Sequence, residues 1–133
     1  MKRLLSLSLF LMTAMLSFAL DFEVDGIYYD IISSTAPYTV AVTYQGTSYS
    51  EYSNEYTGSV TIPEKVTYNG KTYSVTYIDW SAFLECSGLA SVTIPNSVTT
   101  IDEEAFSDCS GLTSIDIPNS VTLISRYTFK DCI

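Results

Sequence analysis

The fold of this chain is decided by residues 86–106, CSGLASVTIPNSVTTIDEEAF, and by their second copy at 109–129, CSGLTSIDIPNSVTLISRYTF. Aligning residues 84–106 on 107–129 gives 13 identities in 23 positions. Cysteines and phenylalanines recur with the same period: Cys86, Cys109, Cys132, Phe83, Phe106 and Phe129. A fixed period of this length predicts a mainly β solenoid, in which each repeat buries its apolar face against its neighbours.

Each copy combines a short strand with a return segment. Val92 and Ile94 are two residues apart, so both point to the same side of a strand, into the core. Pro95 has no N–H and ends the strand pairing. The apolar residues of the return segment and the recurring phenylalanines complete the core of each repeat: Val98, Ile101, Ala105 and Phe106. We expect the phenylalanines of successive repeats to stack as a column.

The repeat pattern begins earlier, because SVTIP at 59–63 matches 91–95 and the related SIDIP at 114–118. Val66 is predicted to take the place of Val98, and Ile78 that of Ile101. Asn69-Gly70 is a strong hairpin signal and would be an insertion in the first repeat. Residues 59–133 therefore predict a run of repeats, the first with a hairpin insertion and the last incomplete.

Residues 20–58 predict an N-terminal antiparallel β cap. Asp25-Gly26 lies between two apolar segments and favours a tight hairpin turn, and we expect short antiparallel strands throughout residues 21–80. Residues 47–57 are polar and aromatic and indicate a loop. Ten of the eleven tyrosines lie between Tyr28 and Tyr77. Packing of half-buried rings explains them; a tyrosine-rich, sugar-binding face is the alternative.

Residues 1–19 have the pattern of a secretory signal peptide. Lys2 and Arg3 precede an apolar stretch, and Ser17-Phe18-Ala19 is typical of a cleavage site. The apolar stretch is too short for a membrane anchor, so no membrane span is expected after cleavage. Removal of the leader leaves four basic residues against 15 acidic ones, a net charge of about −11. Such a charge disfavours nucleic acid as a partner.

The pattern L-x-x-V-x-I-P-x-x-V-x-x-I-x-x-x-A-F-x-x-C, read from Leu89 to Cys109, resembles the 23-residue leucine-rich repeat of BspA-like (Treponema pallidum-type) surface proteins. GIYYDI, YTVAVTY and the 59–78 segment resemble the cap that precedes these repeats. The last copy departs mildly, with Tyr127-Thr128-Phe129 in place of Ala-Phe. The resemblance implies a leucine-rich-repeat solenoid that is secreted or held at the cell surface and mediates adhesion to host extracellular matrix or to other cells.

The sequence offers little chemistry for catalysis, metal binding or cofactors. It contains no histidine, and its cysteines occur singly rather than in a Cys-x-x-Cys pair, which disfavours a zinc site. Equivalent cysteines in neighbouring repeats could reach disulfide distance, but a buried column of free thiols fits the period better. The cluster at 102–104, Asp-Glu-Glu, is interpreted as a solvated face; a calcium site there is the alternative. We expect no enzyme and no cofactor.

A binding module is therefore predicted. The outward-facing positions of the three repeat strands form the predicted concave binding face: Ser59, Thr61, Ser91, Thr93, Ser114 and Asp116. Expected partners are proteins, including matrix or cell-surface proteins, or glycans. Three strands make a sheet only about 15 Å wide, whereas a standard protein interface takes about 800 Å² per partner, so binding by this chain alone should be weak. A structural spacer, a fragment of a longer surface repeat protein, and self-association through the last repeat remain open.

Overall fold

The computed structural model describes residues 20–46 and 55–133. The predicted signal peptide and most of the predicted 47–57 loop lie outside this part of the chain. The described residues form nine strands: β1 (Phe22–Val24), β2 (Ile27–Ser33), β3 (Thr39–Thr43), β4 (Gly58–Thr61), β5 (Lys65–Tyr68), β6 (Lys71–Ile78), β7 (Leu89–Thr93), β8 (Thr100–Ile101) and β9 (Leu123–Ile124). No helix is present in these two ranges, which confirms the mainly β prediction.

Both predicted hairpins are confirmed. β1 and β2 pair antiparallel, and the turn between them has positive φ angles of 52° at Asp25 and 81° at Gly26. β5 and β6 also pair antiparallel, with φ of 51° at Asn69 and 75° at Gly70. Positive φ at both central residues is what a two-residue hairpin turn requires, and Asx-Gly pairs adopt it at low cost. β3 then pairs antiparallel with β2 and completes the cap.

The prediction that all strands of residues 21–80 are antiparallel is wrong at one junction. β3 pairs in parallel with β6, with Val40 opposite Val75 and Val42 opposite Ile78. The chain leaves β3, runs through β4 in a second sheet, and returns through β5 before entering β6. This detour brings β6 back in the direction of β3, whereas hairpin signals report only pairs of strands that are adjacent in sequence.

The repeats stack as two parallel ladders. In the larger sheet, Ile78, Ile101 and Ile124 are in register on β6, β8 and β9. In the second sheet, β4 pairs with β7, and Thr93 forms a single bridge to Asp116. The predicted match of Ile78 with Ile101 is confirmed.

The predicted match of Val66 with Val98 is wrong. Val75 precedes Ile78 by three positions, as Val98 precedes Ile101, so Val75 holds the equivalent place in the β6–β8 register. Val66 is opposite Tyr73 in the inserted hairpin, although its side chain is buried there.

A column of aromatic rings runs through the core between the two sheets. Phe83 and Phe106 stack at 4.8 Å between centroids, and Phe106 and Phe129 at 5.6 Å, with interplanar angles of 11° and 10°. Tyr56 continues the column, with its ring centroid 4.5 Å from that of Phe83. Its hydroxyl donates to the carbonyl oxygen of Thr43 at 2.7 Å, so the ring also ties the column to the end of β3. The expected phenylalanine column is confirmed, and Tyr56 is an addition to it.

Candidate binding surface

The six residues of the predicted concave face are all exposed: four lie on β4 and β7, Asp116 forms the bridge to Thr93, and Ser114 lies outside the strands. Ser59 lies beside Ser91 and Thr61 beside Thr93 in the β4–β7 register, and Asp116 follows Thr93. The hydroxyl of Ser91 donates to that of Ser59 at 2.9 Å. The period-two pattern, which sends Val60 and Val92 inward, directs the side chains of Ser59, Thr61, Ser91 and Thr93 outward. Whether this surface binds a partner stays a prediction.

The acidic cluster at 102–104 is less solvated than predicted, because its three side chains are half-buried. The carboxylate of Asp102 accepts a hydrogen bond from the Tyr77 hydroxyl at 2.9 Å. Glu103 forms an ion pair with Arg126 of the next repeat, at 2.9 Å between Nε and Oε1. Two of its carboxylates therefore stabilise the stacking of neighbouring repeats. No group of histidine, cysteine, aspartate or glutamate side chains within residues 20–46 and 55–133 is arranged to hold a metal ion.

Two further carboxyl groups lie in the cap with shifted pKa values. Burial raises the pKa of Asp30 to about 7, and the neighbouring carboxylates of Asp21 and Asp79 add to the shift. Burial also raises the pKa of Glu55 to about 7, although its carboxylate accepts a hydrogen bond from the backbone N–H of Gln45 at 3.2 Å. Both groups therefore bind protons near neutral pH.

None of the three cysteines forms a disulfide; Cys86 and Cys109 are buried in the core, and Cys132 is half-buried against it. The thiol of Cys109 donates to the carbonyl oxygen of Phe83 at 3.0 Å, and that of Cys132 to the carbonyl oxygen of Phe106 at 2.8 Å. Burial raises the pKa of both thiols, so thiolate formation is disfavoured. The expected thiol column is buried at Cys86 and Cys109 but only half-buried at Cys132, and each bond links one repeat to the repeat before it.

The tyrosines described between residues 20 and 80 are all buried or half-buried, which favours packing over an open sugar-binding face. Tyr29, Tyr56 and Tyr73 are buried. Phe22 stacks on Tyr68 at 4.2 Å between centroids, beside Tyr73 at 5.9 Å. The rings of Phe22, Tyr68 and Tyr73 therefore pack the inserted β5–β6 hairpin against β1.

Two adjoining grooves lie beside β4, and no pattern in the sequence indicated them. The first, of about 410 Å³, is lined by Val24, Asp25, Ile27, Tyr29, Thr61, Pro63, Lys65, Val66 and Thr67. The second, of about 280 Å³, shares Asp25, Ile27 and Thr61 with it and adds Glu55 and Ser59. The two open between the β1–β2 turn and the edge of the second sheet, next to the predicted concave face.

No helix in the described part of the chain is long and apolar enough to cross a membrane. No curated protein matches the chain. Among solved structures, the chain is similar to a leucine-rich repeat protein from Bacteroides ovatus, with 36% identity and a TM-score of 0.70 over 84% of this chain and 27% of that protein. It is also similar to a leucine-rich cell surface protein from Faecalibacterium prausnitzii, with 26% identity and a TM-score of 0.65 over 84% of this chain and 28% of that protein.

The leucine-rich repeat protein of Treponema pallidum shares the fold, with 22% identity and a TM-score of 0.62 over 84% of this chain and 46% of that protein. The chain thus spans about a quarter of the length of the first two relatives. The family described as the BspA type leucine-rich repeat region matches residues 45–133 in six copies. Two parallel ladders, a repeating core column and this match together show that the chain belongs to the BspA-type leucine-rich repeat family.

Proposed function

We propose that this protein is a non-catalytic binding module that works outside the cell, secreted or at the cell surface. The observation that carries the proposal is the exposed face of small polar side chains on the β4–β7 ladder and at Asp116. This face would contact proteins of the host matrix or of other cells, or their glycans. The signal-peptide pattern of residues 1–19 and the similarity to a cell surface protein of Faecalibacterium prausnitzii support the location.

The test compares two threonines of the same repeat that lie beside different sheets. Thr93 is on the predicted concave face, whereas Thr99 is exposed next to β8 of the larger sheet. Binding of the full chain to immobilised fibronectin, collagen and mucin is measured by biolayer interferometry. Thr93→Arg should weaken binding at least tenfold, and Thr99→Arg should leave it unchanged. Equal effects of the two variants, or none, would contradict the proposal.

A spacer role is the second candidate, because the concave face carries no large or aromatic side chain among its six residues. A spacer predicts that the double variant Thr93→Ala, Asp116→Ala retains the function of the unchanged chain. Cell adhesion assays that compare the double variant with the unchanged chain separate the two roles, since a binding module loses adhesion when this face is changed.

A further inference from the structure

The outer edge of β4 carries backbone groups that can pair with another strand. On the other side of β4, the N–H of Gly58 donates to the carbonyl oxygen of Gly88 at 2.9 Å, and the N–H of Ile62 donates to that of Thr93 at 3.0 Å. Successive residues of a strand direct their backbone groups to opposite sides, so those of Ser59 and Thr61 point away from β7. β7 is the one strand partner of β4 in the described residues. Two N–H and two carbonyl groups therefore form an edge that an added strand can use.

The two grooves run along this same edge. Both are lined by Asp25 of the β1–β2 turn and by the buried side chain of Ile27, and the larger one is also lined by the buried side chains of Tyr29 and Val66. An extended peptide would thus find backbone hydrogen bonds on one side and an apolar floor below, which is the combination used in recognition by strand addition. A partner that presents a flat or globular surface would use neither the backbone hydrogen bonds nor the apolar floor.

The two grooves differ in charge, although Asp25 lines both. The one of about 280 Å³ is lined by the carboxyl groups of Asp25 and Glu55, and its described lining contains no lysine or arginine. Burial raises the pKa of Glu55 to about 7, and a cation placed beside it would stabilise its ionised form. The one of about 410 Å³ lacks Glu55 but is lined by Lys65 and by the apolar side chains of Ile27 and Val66.

We propose that this edge groove, formed by β4, the β1–β2 turn and residues 63–67, binds an extended peptide as an additional strand next to β4. A basic side chain of the peptide lies between Asp25 and Glu55, and an apolar side chain two residues away packs on Ile27 and Val66. Residues two apart in a strand are separated by about 7 Å and point to the same side, so one peptide reaches both grooves. The proposal does not depend on binding by the outward side chains of the concave face.

The first test uses the peptide acetyl-Thr-Arg-Thr-Leu-Thr with a fluorescent label, titrated with the full chain and followed by anisotropy. Two isomers are N-methylated at adjacent residues, so that one methyl group replaces an N–H facing β4 and the other an N–H facing away. We expect one isomer to bind at least tenfold more weakly than the parent and the other to bind within about twofold of it. Isomers that bind equally would overturn strand addition, and so would a parent peptide that shows no binding at about 1 mM.

The second test changes the protein. Thr61→Pro removes an N–H on the outer edge and leaves the hydrogen bonds to β7 in place, whereas Thr61→Val keeps that N–H and alters only the side chain. We expect a loss of at least tenfold in peptide affinity for the first variant and less than twofold for the second. Glu55→Gln should weaken binding of the arginine peptide. It should leave binding of the same peptide with norleucine in place of arginine unchanged. If Thr61→Pro does not fold, the N-methylated pair and Glu55→Gln still decide the proposal.

Two controls separate this surface from its alternatives. Thr99→Arg, beside β8 of the larger sheet, should leave peptide binding unchanged. Matrix binding is tested by Thr93→Arg and peptide binding by Thr61→Pro and Glu55→Gln, so the proposed function and this inference can fail independently. Light scattering of the free chain tests whether a second copy takes the edge instead. A concentration-dependent dimer that the peptide does not dissociate, together with loss of that dimer in Thr61→Pro, would overturn the peptide as the occupant.

Discussion

The aromatic column shows how single residues hold the repeats together. Phe106 is fully buried between the rings of Phe83 and Phe129, whereas Phe129 has one neighbouring phenylalanine ring in the column. Phe106→Ala should lower the free energy of unfolding by about 3–5 kcal/mol, the range typical of phenylalanine truncation in a core. Phe129→Ala should cost clearly less. Urea titration of both variants measures the difference, and equal losses would contradict a column whose stability depends on stacking on both sides.

Strain at single residues also repeats with the period of the chain. Two sets of non-glycine residues have φ between 56° and 59°, and each set recurs once per repeat: Ser81, Glu104, Tyr127, and Glu85, Asp108, Asp131. Left-handed backbone costs an ordinary residue about 1–2 kcal/mol, and glycine avoids this cost.

Tyr127 gives the sharpest test of this strain, because it is bulky, exposed and has a φ of 58°. We expect Tyr127→Gly to raise the free energy of unfolding by about 1 kcal/mol. Tyr127→Ala is the matched control, since it removes the same ring but keeps a Cβ and should bring no gain. Thermal or urea unfolding of the pair checks the prediction, and a gain in alanine equal to that in glycine would refute the backbone explanation.

At the level of the elements, Gly111 sets how closely two repeats approach. A Cβ on Gly111 would clash with the carbonyl oxygen of Ser87 and would lie 3.1 Å from that of Leu89. Gly111→Ala should therefore push the two repeats apart and cost about 1–3 kcal/mol, as overpacking does elsewhere. The neighbouring exposed Ser110→Ala should be neutral. Chemical denaturation decides, and a neutral Gly111→Ala would mean that the repeats can shift without loss of stability.

The elements also show which strand pairings the sequence could predict. The hairpins at Asp25-Gly26 and Asn69-Gly70 depend on local turn chemistry, and the ladder from Ile78 to Ile124 depends on the repeat period. Both signals can be read from one sequence. The parallel pairing of β3 with β6 depends on where the chain goes between them, and neither a turn nor a period records that.

The two candidate surfaces also differ in how far the sequence could predict them. Alternation along 59–61, 91–93 and 114–116 predicts six outward side chains, and all six are exposed; that they form one binding face stays a prediction. The edge groove brings together Asp25 and Thr61, which are distant in the sequence and belong to the cap and the second sheet. Tyr56 was likewise assigned to a loop, because no repeat marks it as the end of the phenylalanine column. Contacts between cap and repeats are set by tertiary packing, so a single sequence does not reveal them.

For the molecule as a whole, the shifted carboxyl groups predict higher stability in mild acid. The pKa values of Asp30 and Glu55 rise from 3.8 and 4.5 to about 7 on folding, chiefly through burial. The folded chain therefore holds these protons more tightly than the unfolded chain. Their contribution to stability is fully present below about pH 4 and is lost as the pH rises through about 7.

We therefore expect the thermal unfolding midpoint to be higher at about pH 5 than at about pH 8. The double variant Asp30→Asn, Glu55→Gln should flatten this dependence, because the amides do not titrate. Asp116→Asn, at an exposed position, should leave the profile unchanged. Differential scanning calorimetry gives the midpoints, and a wild-type midpoint that rises from pH 5 to pH 8 would reject the prediction.

Apolar side chains are exposed on the last repeat, among them Leu123, Ile124 and Tyr127. This surface is where the predicted self-association would occur. Whether the chain associates there remains a prediction, and light scattering of the full chain with an Ile124→Lys variant tests it.

The thiol–carbonyl bonds and the phenylalanine stack join equivalent positions of successive repeats, so each repeat meets its neighbour in the same way. A deletion of residues 87–109 would place Cys86 directly before Ser110, which is the residue that follows Cys109 in the intact chain. The join would create no new local environment. Recombination between repeated stretches of the gene can therefore shorten or lengthen such an array by whole repeats. Proteins descended from one ancestor can then differ in the length of the array while the core of each repeat stays the same.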